Sequence, residues 1–90
     1  MRRQTERCLE RIEEALDAFS SGLDAVVRVR IYTTRIEAWE EIAEVMGPRF
    51  ARTRPANVLV GVAALIDPAA LIEIEADAWV AGADSRADPT

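Results

Sequence analysis

The sequence predicts a small α+β domain with the element order helix, strand, helix, strand, strand. Three observations carry that prediction. Apolar residues recur three and four apart near the N-terminus and again beyond Thr34, which is the helical period. The run Ile72 to Val80 alternates with a period of two, which is the strand period. A helix-length segment separates the strand Asp24–Thr33 from the apolar run that starts at Asn57. Strand, helix, strand in that order reads as a βαβ unit, so those two strands are expected to be parallel, with both helices on one face of the sheet.

Residues Gln4 to Ser20 read as the first helix, with Leu9, Ile12, Leu16 and Phe19 as its apolar stripe and Gly22 suited to a left-handed C-terminal cap. In Asp24–Thr33, Val27, Val29 and Ile31 share one face, and Arg28, Arg30 and Tyr32 share the other. Thr34 and Glu37 fit a capping box that opens the second helix. Its buried stripe is expected at Ile36, Trp39, Ile42, Ala43 and Met46, with Gly47-Pro48 tightening the last turn and Phe50 packing just beyond. Glu40, Glu41 and Glu44 read as a solvated face. Pro55 keeps Arg54 out of helix in the connector. Val58 to Val62 is apolar on both faces, the pattern of a strand covered on both sides. After a loop at Ile66-Asp67-Pro68, the final strand puts Ile72, Ile74, Ala76, Ala78 and Val80 on one face, and Glu73, Glu75, Asp77 and Trp79 on the other. Arg28 and Arg30 are expected opposite these acids as cross-strand pairs. One domain is expected over 1–80, with 81–90 as a flexible tail.

Composition narrows the function classes. The net charge of −5 argues against a nucleic-acid partner, because phosphate contacts call for a basic face. With no His and a single cysteine, Cys8, an internal disulfide, a His-dependent triad and the common zinc sites are excluded. No metal site built on His is expected. No run approaches the length of a membrane span and the N-terminus is charged, so the expectation is a cytoplasmic protein without a membrane partner. Half of the residues are hydrophobic, which is generous for so short a chain and points to burial against other subunits.

The stretches Leu23–Thr34, Ile36–Trp39 and Arg54–Ala78, with the leading helix Gln4–Phe19, resemble the RidA (YjgF-type) family of reactive-intermediate deaminases. The resemblance rests on the run Ile72–Ala76 (IEIEA) and on the strand end Val29-Arg30-Ile31-Tyr32-Thr33-Thr34. It implies a chorismate-mutase-like fold, a mixed sheet with two helices on one face, and three copies packing sheet to sheet as a homotrimer. It also implies a ligand cleft between subunits that takes an imine or a carboxylate-like small molecule. Deaminases of the family hydrolyse enamines or imines such as 2-iminobutanoate and 2-iminopropanoate without a cofactor. An Arg just after the Pro-Ala of the first late strand holds the carboxylate, and the first Glu of IEIEA positions water. Carried over, that makes Glu73 the catalytic acid, with Arg54, Asn57 and Leu59 as ligand-binding residues.

Two departures qualify the carry-over. Pro55-Ala56 is followed by Asn57 where the deaminases have Arg, and a neutral amide cannot replace a bidentate Arg–carboxylate contact. The positions where the family often carries Asn and Tyr hold Ala43 and Met46. The family also opens with strands that precede the first helix, whereas here the helix begins almost at Met1. The expectation is a domain without its N-terminal strands, either a fragment or mis-started frame or a natural short form, with an open edge along Leu71–Val80. The leading reading is a RidA-like small-molecule-binding protein with weak or no imine deaminase activity. Two alternatives stand beside it: an active deaminase on a different imine, and a structural or interaction subunit.

Overall fold

The structure is a computed structural model and describes residues 1–80; the expected tail at 81–90 lies outside the described residues. Two helices and three strands follow in the expected order: α1 (Arg2–Asp17), β1 (Val26–Thr33), α2 (Trp39–Arg49), β2 (Ala56–Gly61) and β3 (Ile72–Ala78). The sheet order is β2-β1-β3, with β1 parallel to β2 and antiparallel to β3. This is the α+β architecture with a mixed sheet expected of a chorismate-mutase-like fold. Leu9 and Leu16 of α1 and Ile42 and Val45 of α2 pack with Val29, Ile31 and Ile72 in one core. Both helices therefore cover one face of the sheet and leave the other open.

The core face of β1 is Val26, Val29, Ile31 and Thr33, whereas Val27 is 54% exposed. The expectation for Val27 fails because the pairing with β3 slips between Val26 and Arg28. A bulge inserts one residue and reverses the facing of everything before it. Among the described residues β2 is not covered on both faces. It is a sheet edge, and Val58 and Val60 stand exposed on the open face. β3 keeps the expected alternation, with Ile72, Ile74 and Ala76 toward the core and Glu73, Glu75 and Asp77 away from it. Trp79 lies beyond the strand and is 78% exposed.

The helix ends differ from the sequence expectation for local reasons. α1 stops at Asp17, and Phe19 lies past it, exposed, rather than on the buried stripe. The left-handed residue is Ser20 (φ 55°), not Gly22. Ser21 N–H donates to Leu16 O at 3.0 Å and Ser20 N–H to Asp17 O at 2.9 Å, the paired bonds of a Schellman-type stop. Before α2, Ile36–Ala38 forms a separate 3₁₀ turn with no side-chain cap. The Thr34–Glu37 box is thus absent; instead Thr33 Oγ1 accepts from the Arg35 N–H at 3.1 Å. That turn sets a different helical phase. Ile42, Val45 and Phe50 become the buried residues, Met46 is half-buried, and Ile36, Trp39 and Ala43 are exposed. Ile36 still has a neighbour, because a Cβ at Gly61 would come within 3.2 Å of its own Cβ.

The chain between β2 and β3 is tied down by α1. Gln4 Nε2 donates to Ala69 O at 3.0 Å, and Leu71 N–H donates to Gln4 Oε1 at 2.7 Å. Asp67 Oδ1 accepts from the Ala69 N–H at 2.9 Å, which shapes the expected turn at Asp67-Pro68.

Candidate functional site

The connector after α2 and the start of β2 close over a cleft of ≈ 640 Å³. Its walls come from the last turns of α2 (Ala43, Met46, Gly47), from Phe50, and from Val29 across the sheet. Arg54 and Asn57 supply its polar groups, with Pro55 between them. The walls follow from helix geometry: Ala43, Met46, Gly47 and Phe50 recur three and four apart and so lie along one side of the helix and its extension. Arg54 is held in the left-handed region (φ 49°), and its N–H donates to Phe50 O at 2.8 Å. Asn57 is exposed at the rim, and its Nδ2 donates to Pro55 O at 3.4 Å, a long bond that leaves the amide able to take another partner.

Of the residues expected from the sequence, Arg54 and Asn57 meet in this cleft. Leu59 is half-buried on the helix-covered side, paired in register with Ile31, and packs against the core. Glu73 stands elsewhere. It is exposed on the open face of β3, opposite Tyr32. Asn57 is paired with Val29 on the other side of β1. Within one chain the two positions are therefore on opposite faces, two strand spacings (about 9–10 Å) and three residues of register (about 10 Å) apart. The sequence reading did not single out Phe50 as a wall of the cleft. The available signal was its place four residues after Met46, on the same side of the helix.

The open face carries an ion-pair network, as the cross-strand expectation held. Arg30 donates from both terminal nitrogens to Asp77 at 3.0 Å each and from Nε to Glu75 Oε1 at 2.7 Å. Arg28 Nε donates to Asp77 Oδ2 at 2.9 Å, and the Tyr32 hydroxyl donates to Glu75 Oε1 at 2.8 Å. Hydrogen bonds from Arg30 and Arg28 hold the Asp77 carboxyl well below the usual carboxylate range. Those from Arg30 and Tyr32 lower Glu75, and the bond to Glu75 raises the Tyr32 hydroxyl. These two acids are engaged structurally and have no proton to exchange near neutral pH. Cys8 is half-buried, and burial pushes its thiol up, away from the reactive thiolate form.

The network makes a pH prediction. A carboxylate with a folded pKa below its unfolded value contributes stability that is present above the unfolded pKa, about 4. That contribution is lost as pH falls toward the folded value. The melting temperature should therefore drop below about pH 4, and Asp77→Asn should flatten that acid slope. Parallel acid slopes for the variant and the unmodified chain would contradict the role assigned to Asp77.

Known proteins are similar to this chain in sequence and fold. A family model described as Endoribonuclease L-PSP matches residues 1–80. A RutC family protein from Pyrococcus abyssi is 33% identical over 79 residues, spanning 88% of this chain and 61% of the relative. A solved member of the YjgF/YER057c/UK114 family from Mycobacterium tuberculosis is 49% identical with a TM-score of 0.82, covering 84% of this chain and 64% of that one. A putative endoribonuclease from Thermotoga maritima is 38% identical with a TM-score of 0.79, covering 87% of this chain and 61% of that one. The chain thus spans about three-fifths of the length of these relatives. Matched along both helices and all three strands, it belongs to the endoribonuclease L-PSP family, whose members also carry the YjgF and RutC names.

Proposed function

We propose that the chain is a RidA-like small-molecule-binding protein with weak or no imine deaminase activity, working as a homotrimer with its ligand clefts between subunits. The observation that carries the reading is Asn57 at the rim of the α2–β2 cleft, where the resemblance calls for Arg. An imine with a carboxylate then lacks its bidentate clamp at that position, and an unoriented substrate forfeits most of the advantage of a nearby acid. Glu73 is the acid left to the role, because Glu75 and Asp77 are tied up by Arg30 and Arg28. The opposite facing of Asn57 and Glu73 within one chain favours a site completed by a neighbouring copy. Exposed Val58 and Val60 on the open face supply apolar area for that contact.

RNA is not favoured as the substrate, although three of the structural relatives are described as putative endoribonucleases. Arg28 and Arg30 on the open face are already neutralised by acids, and the chain as a whole carries −5. Among the described residues no helix is long and apolar enough to cross a membrane. The proposed setting is the cytoplasm.

The testing assay is ammonia or keto-acid release from enzymatically generated 2-iminobutanoate and 2-iminopropanoate. Turnover by the unmodified chain should lie near background, and robust turnover would overturn the reading. The assembly is checked separately by light scattering coupled to size exclusion, with a trimer mass expected; a clean monomer at micromolar concentration would count against it.

A further inference from the structure

We propose that Asp67 is a positioning residue for Glu73: the turn it builds selects the register in which β3 keeps that acid away from Arg30. The inference rests on the reading that Glu73 is the acid of the site, and goes beyond it in naming what keeps the acid available.

The β3 sequence does not choose its own register. Ile72-Glu73-Ile74-Glu75 repeats every two residues, so a shift of one residue turns the acids inward but a shift of two does not. In the structure Arg30 stands opposite Glu75, Tyr32 opposite Glu73 and Thr33 opposite Ile72. Shifted by two, Arg30 would face Glu73, Arg28 would face Glu75 and Thr33 would face Ala70. The residues opposite Val29, Ile31 and Thr33 would then be Ile74, Ile72 and Ala70 in place of Ala76, Ile74 and Ile72. Each set is two isoleucines and one alanine, and each register gives both arginines a carboxylate. For the site the two registers differ. Glu73 would take the place of Glu75, whose Oε1 accepts from Arg30 Nε at 2.7 Å, and would be tied up as Glu75 is now.

The turn ahead of β3 breaks the tie. Asp67 Oδ1 accepts from the Ala69 N–H and Asp67 O from the Ala70 N–H, both at 2.9 Å. In the shifted register Ala69 and Ala70 would extend β3, and both bonds would be lost. The turn cannot be rebuilt two residues earlier, because Leu65 would take the place of Asp67 and its side chain accepts no hydrogen bond. The other contacts of this segment do not discriminate. Gln4 binds Ala69 O and the Leu71 N–H, and Leu71 O accepts from Thr33 Oγ1 at 2.7 Å and from the Thr34 N–H at 3.1 Å. Those partners are backbone groups, which Asp67 and Ala69 would present equally well after a shift of two.

The test is NMR on the full chain, without ligand. Backbone NOEs of Arg30 report its partner across the sheet, and chemical-exchange saturation transfer measures a minor register. Arg30 should contact Glu75 in the unmodified chain. Asp67→Ala should raise the register with Arg30 opposite Glu73 about tenfold, the effect of one charge-assisted hydrogen bond. Asp67 is exposed, so this change leaves the core untouched. Asp67→Asn keeps the accepting oxygen and should keep the register of the unmodified chain. Gln4→Ala should lower the melting temperature without changing the ratio of the two registers, and a merely structural Asp67 would behave in the same way. An Asp67→Ala chain without the second register would overturn the inference. So would Asp67→Asn or Gln4→Ala shifting the register as far as Asp67→Ala. None of these results touches the small-molecule reading, which the imine assay judges independently.

Discussion

Replacing Asn57 with Arg should raise imine hydrolysis from near background by about ten- to a hundred-fold, the range set by one charge-assisted contact. β2 holds position 57 beside the cleft, in register with Val29, so a longer side chain there starts from a fixed strand and not from a mobile loop. A guanidinium contributes both binding and orientation, because its planar fork accepts a carboxylate in one geometry. Adding Glu73→Ala to that variant should abolish the gain. Glu75→Gln should leave most of it, since the Glu75 carboxylate is occupied by Arg30 and Tyr32. The opposite facing of the two positions adds a sharper test. If the site is shared between copies, the double variant mixed with unmodified chain should regain turnover, because each can supply what the other lacks. No gain from Asn57→Arg, with the fold intact by circular dichroism, would remove the carboxylate clamp as the explanation. A gain that does not need Glu73 would remove the acid.

Leu9→Ala should destabilise the fold by about 2–5 kcal/mol, the cost of deleting a buried leucine and leaving a cavity. Leu9 is 0% exposed in the core where α1 packs on the sheet. A domain of this size has about 5–15 kcal/mol in total, so the loss is a large fraction of its stability. In a thermal melt it corresponds to a drop of about 10 °C or more. Phe19→Ala is the contrasting case. Both residues stand on the same predicted stripe, but Phe19 is 62% exposed beyond the end of α1. Its removal should change stability by within about 0.5 kcal/mol in a chain that is not using it at an interface. Similar melting shifts for the two variants would mean that Phe19 is buried by a partner in solution.

Periodicity and residue chemistry by themselves determined the elements and their order, the parallel relation of β1 and β2, and the acidic face of β3 with its arginine partners. Those features are local. The period of two in Ile72–Ala78 and the helical spacing of Leu9, Ile12 and Leu16 are read along the chain without knowing what lies across from it. The resemblance carried by IEIEA and the end of β1 identified the family and pointed to Arg54 and Asn57 as neighbours of one cleft. What only the tertiary structure decided depends on contacts between elements. The bulge that turns Val27 outward arises from the register of β1 on β3; in the sequence Val26 and Val27 are adjacent and both apolar, so the pattern alone does not say which of them faces the core. The 3₁₀ turn at Ile36–Ala38 shifts the phase of α2, so Val45 takes the core position that spacing assigned to Ala43. The facing of Glu73 away from Asn57 follows from β2 and β3 flanking β1 on opposite sides in a given register. A sequence names the residues of each strand, but which face and which edge they occupy is settled only when the strands pair, because a shift of one residue reverses every side chain.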